Sequence, residues 1–176
     1  MKIEFLEDLY FQGLKEKAEI QKGLSLPIAL ITGLGSILFY FVNKFKTEAE
    51  FWNIILLFVL VVICITILLW AIWNLSKVFA HGSKANKDEY DIIAFPLFEK
   101  MKEWEDERIN DSQYTKEQSD ALIEEGYIDI FIKVIDQTNI INEINRSFLY
   151  DAKIMILYSI VTILLTTVVF IINQLM

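Results

Sequence analysis

The chain has 176 residues, of which 55% are apolar and 23% are charged, and its net charge at pH 7 is −8. So much apolar and charged surface can coexist only if the two are segregated along the sequence. The single cysteine and single histidine exclude a disulfide framework within one chain and argue against zinc hydrolysis and Cys- or Ser-based catalytic triads.

Residues 1 to 22 place apolar side chains at near-helical spacing, with charged residues between them. The apolar positions are Ile3, Leu6, Leu9, Tyr10 and Leu14. We expect an amphipathic cytosolic helix that packs on the polar domain of the same assembly, and a helix lying on the membrane surface is the alternative.

Residues 24 to 43 carry no charge and are long enough to cross a bilayer as a helix. Pro27 falls in the first helical turn, where a missing amide donor is tolerated. Small residues on one face let two helices approach closely in lipid. We call Ala29, Thr32, Gly33 and Ser36 the first-span stripe; it predicts a helix-packing surface, with a pore-lining role as the alternative.

Residues 51 to 76 form a second uncharged stretch, which is almost wholly Ile, Leu, Val and Phe. Trp52 lies near one end, and Trp70 and Trp73 lie near the other, where tryptophan rings are expected at headgroup level. The short connection over residues 44 to 50 predicts an antiparallel hairpin with the first span. Because the second span is apolar all round, we expect it to face lipid.

Residues 77 to 150 are predicted to form a small helical cytosolic domain between the second and third spans. We expect His81 in a loop, a helix from Pro96 to Ile109, and a short helix that Thr115 and Gln118 cap and Gly126 ends. Neither glycine nor proline follows Tyr127. This favours a helix continuing through Asp151 and Lys153 into the third span, and a break near residues 137 to 142 is the alternative.

A group of cations around one tryptophan is the strongest candidate for ligand binding in the central region. We call Lys100, Lys102, Trp104 and Arg108 the central cluster. A groove that combines cations with an aromatic platform can hold a nucleotide or a short single strand. The alternative is a set of surface charges around a helix whose tryptophan is in the core. From residue 77 to 153 the chain has ten basic and 17 acidic residues, which argues against general polyanion binding.

The third span, residues 154 to 175, also carries no charge. Polar side chains at spacings of three, four and seven share one of its faces. We call Ser159, Thr162, Thr166 and Asn173 the third-span stripe. Either a contact between helices or a water-filled path at the axis of an oligomer would satisfy them, and both interpretations stay open at this point.

These elements predict an all-α membrane protein with three transmembrane helices, a helical cytosolic domain before the third, and a long final helix. Basic residues flank the spans so that the amino terminus and the central region lie in the cytoplasm and the carboxyl terminus lies outside. No phosphate-binding glycine loop, metal-ligand spacing or nucleophile elbow occurs. We therefore expect no enzyme, no catalytic residue, no bound metal and no cofactor.

The opening helix and first span, KEKAEIQKGLSLPIALITGLGSILFYF, lead into a tight hairpin and a helical part. This layout resembles the small transmembrane effectors of bacterial anti-phage nucleotide-signalling systems, and is most similar to the channel effector of the Hailong system. Residues 1 to about 110 also resemble the two-span SLATT-type effectors.

The resemblance implies a homo-oligomeric ion channel, expected to be a tetramer, in the bacterial inner membrane. It further implies a single-stranded oligodeoxyadenylate that holds the channel shut, a partner nucleotidyltransferase that makes this ligand, and depolarisation with growth arrest on its loss. A different class of function fits the same elements. A non-conducting membrane scaffold would use its small-residue surfaces for assembly and its cytosolic face to recruit a protein partner.

Overall fold

The computed structural model describes residues 3 to 44, 51 to 82, 98 to 109 and 114 to 175. Within these ranges the chain forms the helices α1 (Ile3–Lys22), α2 (Ser25–Asn43), α3 (Phe51–Gly82), α4 (Phe98–Ile109) and α5 (Lys116–Leu175). The expected helical class is confirmed for this part of the protein. The 44 to 50 connection lies largely outside the described residues, and Pro96 lies wholly outside them.

Three helical stretches are long and apolar enough to cross a membrane, judged by length and composition. They are Ile3–Asn43, Trp52–Ala80 and Lys116–Leu175. This agrees with the expectation of three long apolar helices that could span a membrane.

The chain divides into two compact units. Unit 1 combines residues 1 to 19 with residues 84 to 144. Its core places Leu6 of α1 against Phe131 and Ile135 of α5, and the ring of Tyr10 meets Phe131 nearly edge-on, with centroids 6.3 Å apart. The apolar face that the sequence assigns to the first helix is therefore the face that α1 packs against α5.

The start of α5 is fixed by a reciprocal pair of hydrogen bonds. The backbone N–H of Thr115 donates to Oε1 of Gln118 at 3.0 Å, and the N–H of Gln118 donates to Oγ1 of Thr115 at 3.4 Å. These bonds satisfy two amide donors that the first helical turn leaves open. The predicted capping box is confirmed.

The prediction that Gly126 ends a short helix is wrong, because α5 runs through it without interruption. Gly126 instead provides room for Trp104 of α4: a Cβ added there would lie 2.5 Å from Cη2 of that indole. The alternative of a break near residues 137 to 142 is also wrong. The α5 helix is continuous through these residues, and Thr138 donates its hydroxyl to the carbonyl of Val134 at 2.8 Å, one helical turn back.

Unit 2 combines residues 20 to 83 with residues 145 to 176, and its core joins α2, α3 and α5. On α3 the buried apolar residues are Leu57, Val61, Cys64, Leu68, Ala71, Leu75 and Val78, with Asn74 buried beside them, and on α5 the buried residues of unit 2 are Asn145, Leu149, Ala152, Ile156, Ser159, Ile163, Thr166, Phe170 and Asn173. The apolar set of α3 and the α5 set alternate spacings of three and four, the seven-residue repeat of helices that pack side by side. The second span is therefore not wholly lipid-facing, because one stripe of α3 belongs to this core.

One boundary also differs from expectation. The α3 helix continues beyond residue 76 to Gly82, so the backbone of His81 is helical and the prediction of a loop there is wrong. An apolar run at residues 78 to 80, VFA, supports the extra turn, because Val78 is buried in unit 2.

Candidate functional site

The third-span stripe lies inside unit 2. Ser159, Thr166 and Asn173 are fully buried, whereas Thr162 is partly exposed. The three hydroxyl groups donate to carbonyls one turn back in α5, with distances of 3.1 Å for Ser159, 2.9 Å for Thr162 and 2.7 Å for Thr166. Such bonds satisfy a hydroxyl within its own helix. The stripe therefore needs neither water nor a second copy to satisfy its hydroxyls.

Small side chains bring α3 and α5 close together at the middle of unit 2. The thiol of Cys64 is fully buried, and its Sγ lies 3.8 Å from the carbonyl oxygen of Ser159. Ala71 on α3 and Ala152 on α5 are also fully buried. Where helices associate in lipid, small residues at the contact let the two backbones approach closely.

Asn173 is the exception within the third-span stripe. Both its amide oxygen and its amide nitrogen are buried without a hydrogen-bond partner among the described residues. The next residue is satisfied, because Nε2 of Gln174 donates to the carbonyl of Lys44 at 2.7 Å. An unbonded buried amide costs about 1–3 kcal/mol. Asn173 is therefore a destabilising position within the core of unit 2.

The first-span stripe has the opposite placement. Ala29, Thr32, Gly33 and Ser36 are all exposed on the surface of unit 2, and a Cβ added at Gly33 would meet no atom within 4 Å. Thr32 and Ser36 donate to the carbonyls of Ile28 and Thr32, each at 2.9 Å. No described residue of the same chain covers this surface.

The central cluster is only partly brought together. Lys102 is exposed, whereas Trp104 and Arg108 are partly buried, and the side chain of Lys100 lies outside the described part. The Trp104 indole packs on Gly126 and stands perpendicular to the Tyr127 ring, with centroids 6.1 Å apart. The Arg108 carbonyl accepts a hydrogen bond from Oγ of Ser119 at 3.1 Å. Trp104 and the Arg108 backbone thus join α4 to α5.

A second hydrogen bond joins α4 and α5, and the sequence analysis did not predict it. The hydroxyl of Tyr127 donates to Oε1 of Glu105 at 2.6 Å. Burial, followed by the hydrogen bond and the negative charge of Glu105, raises the pKa of Tyr127 to about 12. The signal was the isolated glycine beside Tyr127, since a glycine inside a helical pattern often marks a close packing contact.

An amide also joins α1 to α5 in unit 1. Nδ2 of the buried Asn142 donates to the carbonyl of Gly13 at 2.9 Å, and a Cβ added at Gly13 would lie 3.0 Å from Cγ2 of Thr138. The amide-rich stretch that suggested a helix break is therefore a packing contact. The sequence alone could not predict this contact, because it depends on α1 packing against α5 at Gly13.

Within the described ranges, no group of three or more His, Cys, Asp or Glu side chains is placed to hold a metal ion. Comparison of the chain with protein families, with curated proteins and with solved structures gives no match.

Proposed function

We propose that the chain is one subunit of an oligomeric ion channel, an effector of anti-phage defence in the bacterial inner membrane. Unit 1 binds a nucleotide or a single-stranded oligodeoxyadenylate on the cytoplasmic side, and the ligand controls conduction through the assembled spans. Channel opening depolarises the membrane and arrests growth, and a nucleotidyltransferase supplies the ligand. The carboxyl terminus lies outside the cell.

The continuity of α5 is the observation that carries this proposal. One helix, Lys116–Leu175, supplies Phe131 and Ile135 to the core of unit 1 and Ile156 and Ile163 to the core of unit 2. A ligand-induced change in unit 1 therefore acts on unit 2 through the helix that the two units share.

The first-span stripe supports the oligomeric part of the proposal. Its small side chains are exposed on unit 2, and such surfaces favour close approach of a second helix in lipid. We assign subunit contacts, and the polar edge of the ion path, to α2. Placing the third-span stripe along the path instead would require α5 to turn its buried side chains outward.

A non-conducting scaffold is the second candidate, and the self-satisfied hydroxyls of Ser159 and Thr166 favour it. Their burial accounts for the polar stripe of the third span by packing alone. The first-span stripe would then assemble copies without enclosing a path, and unit 1 would recruit a cytosolic protein.

Ion flux into proteoliposomes separates the two candidates. Purified protein is reconstituted with a potassium gradient and a potential-sensitive dye, with and without single-stranded oligodeoxyadenylate. The channel proposal predicts ligand-dependent flux above that of empty vesicles. An oligomer that carries no flux under either condition would support the scaffold instead.

A further inference from the structure

A groove between α2 and α5 on the surface of unit 2 combines an apolar floor with one cation. It is lined by Leu26 and Leu30 of α2 and by Ile156, Leu157 and Ile160 of α5, with Lys153 among the lining residues, and it measures about 200 Å³. Leu26 and Leu157 are each more than half exposed. Along α5, Lys153 lies one turn before Ile156 and Leu157. The groove thus has Lys153 at one end and apolar side chains along the rest of its lining.

Two aromatic groups place Lys153 at headgroup depth. Tyr150, one turn earlier on α5, is 64% exposed, and Trp73 on α3 is 59% exposed. The Nζ atom of Lys77 lies 5.6 Å from the Trp73 ring and 4.8 Å from the Phe148 ring, so these parts of α3 and α5 lie at the same end of unit 2. Exposed Trp and Tyr rings at one end of membrane helices mark the interface with water.

The charge of Lys153 is available to a ligand. The side chain is exposed and forms no ion pair with any residue in the described ranges. Asp151 is two positions earlier, about 200° around the helix, and therefore points away from the groove. A lysine at this depth keeps its ammonium group among headgroups while its methylene stem lies along apolar surface.

Two other surface grooves of unit 2 lack this combination. One is lined only by apolar side chains, including Val42, Ile55 and Phe58. The other adds the hydroxyls of Thr32 and Ser76 to apolar side chains but has no charged residue. These grooves match the acyl part of a lipid only, whereas the Lys153 groove matches both an acyl chain and an anionic head.

We propose that the groove between α2 and α5 is a binding site for an anionic phospholipid, with Lys153 on the phosphate and the acyl chain on Leu30, Ile156 and Leu157. An ammonium group is a compact charge that pairs well with phosphate oxygen. A free phosphate or a nucleotide would leave the apolar floor unfilled. The assignment does not depend on channel activity.

Native mass spectrometry of the detergent-solubilised full chain tests the site. Phosphatidylglycerol and phosphatidylcholine with the same acyl chains are titrated separately, and we expect tighter binding of phosphatidylglycerol. Lys153→Gln should weaken phosphatidylglycerol binding about fivefold, the effect of one basic side chain at an anionic surface, and leave phosphatidylcholine binding unchanged. Leu157→Trp should weaken binding of both lipids by filling the groove.

Two matched controls accompany these variants. Lys133→Gln removes an exposed cation of α5 that lies before the uncharged segment, and Ile55→Trp fills the apolar groove; neither should change the preference for phosphatidylglycerol over phosphatidylcholine. Circular dichroism checks that each variant keeps its helices, and Lys153→Arg should retain the preference. Equal binding of the two lipids by the wild type would overturn the proposal. So would wild-type binding of phosphatidylglycerol by both Lys153→Gln and Leu157→Trp.

Discussion

Among single residues, Gly126 is the described glycine of unit 1 that leaves the least room for a side chain, because Trp104 packs against it. A methyl group at Gly126 would overlap the indole, since its carbon would lie 2.5 Å from Cη2 and 2.9 Å from Cζ2. Gly126→Ala should therefore destabilise the protein by about 1–3 kcal/mol, the usual cost of overpacking. Thermal unfolding followed by tryptophan fluorescence and circular dichroism measures the loss.

A second variant separates this clash from a loss of glycine flexibility. In a Trp104→Leu background, Gly126→Ala should cost much less and could even stabilise the helix, because alanine is the better helix former by about 1 kcal/mol. If Gly126→Ala lowers the stability equally in both backgrounds, the loss does not come from a clash with Trp104.

The bond between Tyr127 and Glu105 predicts a pH dependence. Burial, followed by the bond and charge of Glu105, raises the pKa of Tyr127 from 10.0 to about 12, so the neutral phenol stabilises the fold below pH 10 and this contribution is lost as the pH rises towards 12. The difference in tyrosinate absorbance between wild type and Tyr127→Phe isolates this group among the seven tyrosines. We expect its midpoint well above that of an exposed tyrosine.

Glu105→Gln serves as the partner control for this titration. It removes the negative charge, so the midpoint should fall, but burial is the largest cause of the shift and part of the shift should remain. A wild-type midpoint at the ordinary value for tyrosine would contradict the hydrogen bond.

Asn173 predicts a gain of stability on substitution. Its amide is fully buried and without a partner in the described ranges, so Asn173→Leu should stabilise unit 2 by about 1–3 kcal/mol. The thermal midpoint in detergent measures this effect. If Asn173 lined an ion path, the same variant would instead reduce flux, and such a loss would contradict its assignment to helix packing.

At the scale of elements, the sequence predicted the helices better than it predicted the faces they bury. Charge-free stretches and helical spacing are local signals, so α1, α2, α3 and the uncharged part of α5 could be predicted directly from the sequence. Polar residues in a membrane helix, by contrast, fit either a packing contact or a pore. Thr32 and Ser159 look alike in sequence, yet one is exposed and the other is buried.

The seven-residue repeat was the signal that separates these two residues. Ala152, Ser159, Thr166 and Asn173 recur every seven positions, and all four are fully buried. Leu149, Ile156, Ile163 and Phe170 form the matching apolar set. This repeat predicts that Ser159, Thr166 and Asn173 of the third-span stripe lie on a helix-packing surface. The role of Gly126 could not be predicted from such a pattern, because it depends on contact with Trp104 of another helix.

If the first-span stripe of α2 forms the contact between subunits, a large side chain on it should prevent assembly. Gly33→Leu should break contacts between copies, since it places a branched side chain on a surface that depends on close approach. The fold of each chain should survive, because a Cβ at Gly33 meets no atom within 4 Å. Size-exclusion chromatography with light scattering measures the subunit number in detergent.

Val62→Leu is the matched control for Gly33→Leu, because Val62 is exposed on α3 and the change also enlarges an apolar side chain. The control should keep the wild-type mass. An unchanged oligomer in Gly33→Leu would remove the first-span stripe from the interface.

In the molecule as a whole, we propose that α5 transmits a ligand signal from unit 1 to unit 2. The stretch after Asn145 contains Ser147, whose side chain is exposed and can be replaced without disturbing a core. A proline in the interior of a helix removes one hydrogen bond and costs about 3 kcal/mol or more. Ser147→Pro should interrupt α5 while leaving both units with their own cores, and Ser147→Ala should leave the helix intact.

Planar-bilayer recording of the wild type, Ser147→Pro and Ser147→Ala tests this transmission. Each protein is recorded before and after addition of single-stranded oligodeoxyadenylate to the side of unit 1. We predict that the ligand changes the conductance of the wild type and of Ser147→Ala, and that Ser147→Pro conducts without responding to it. A full ligand response in Ser147→Pro would show that α5 does not transmit the signal, and no conductance from the wild type with or without ligand would show that the protein is not a channel.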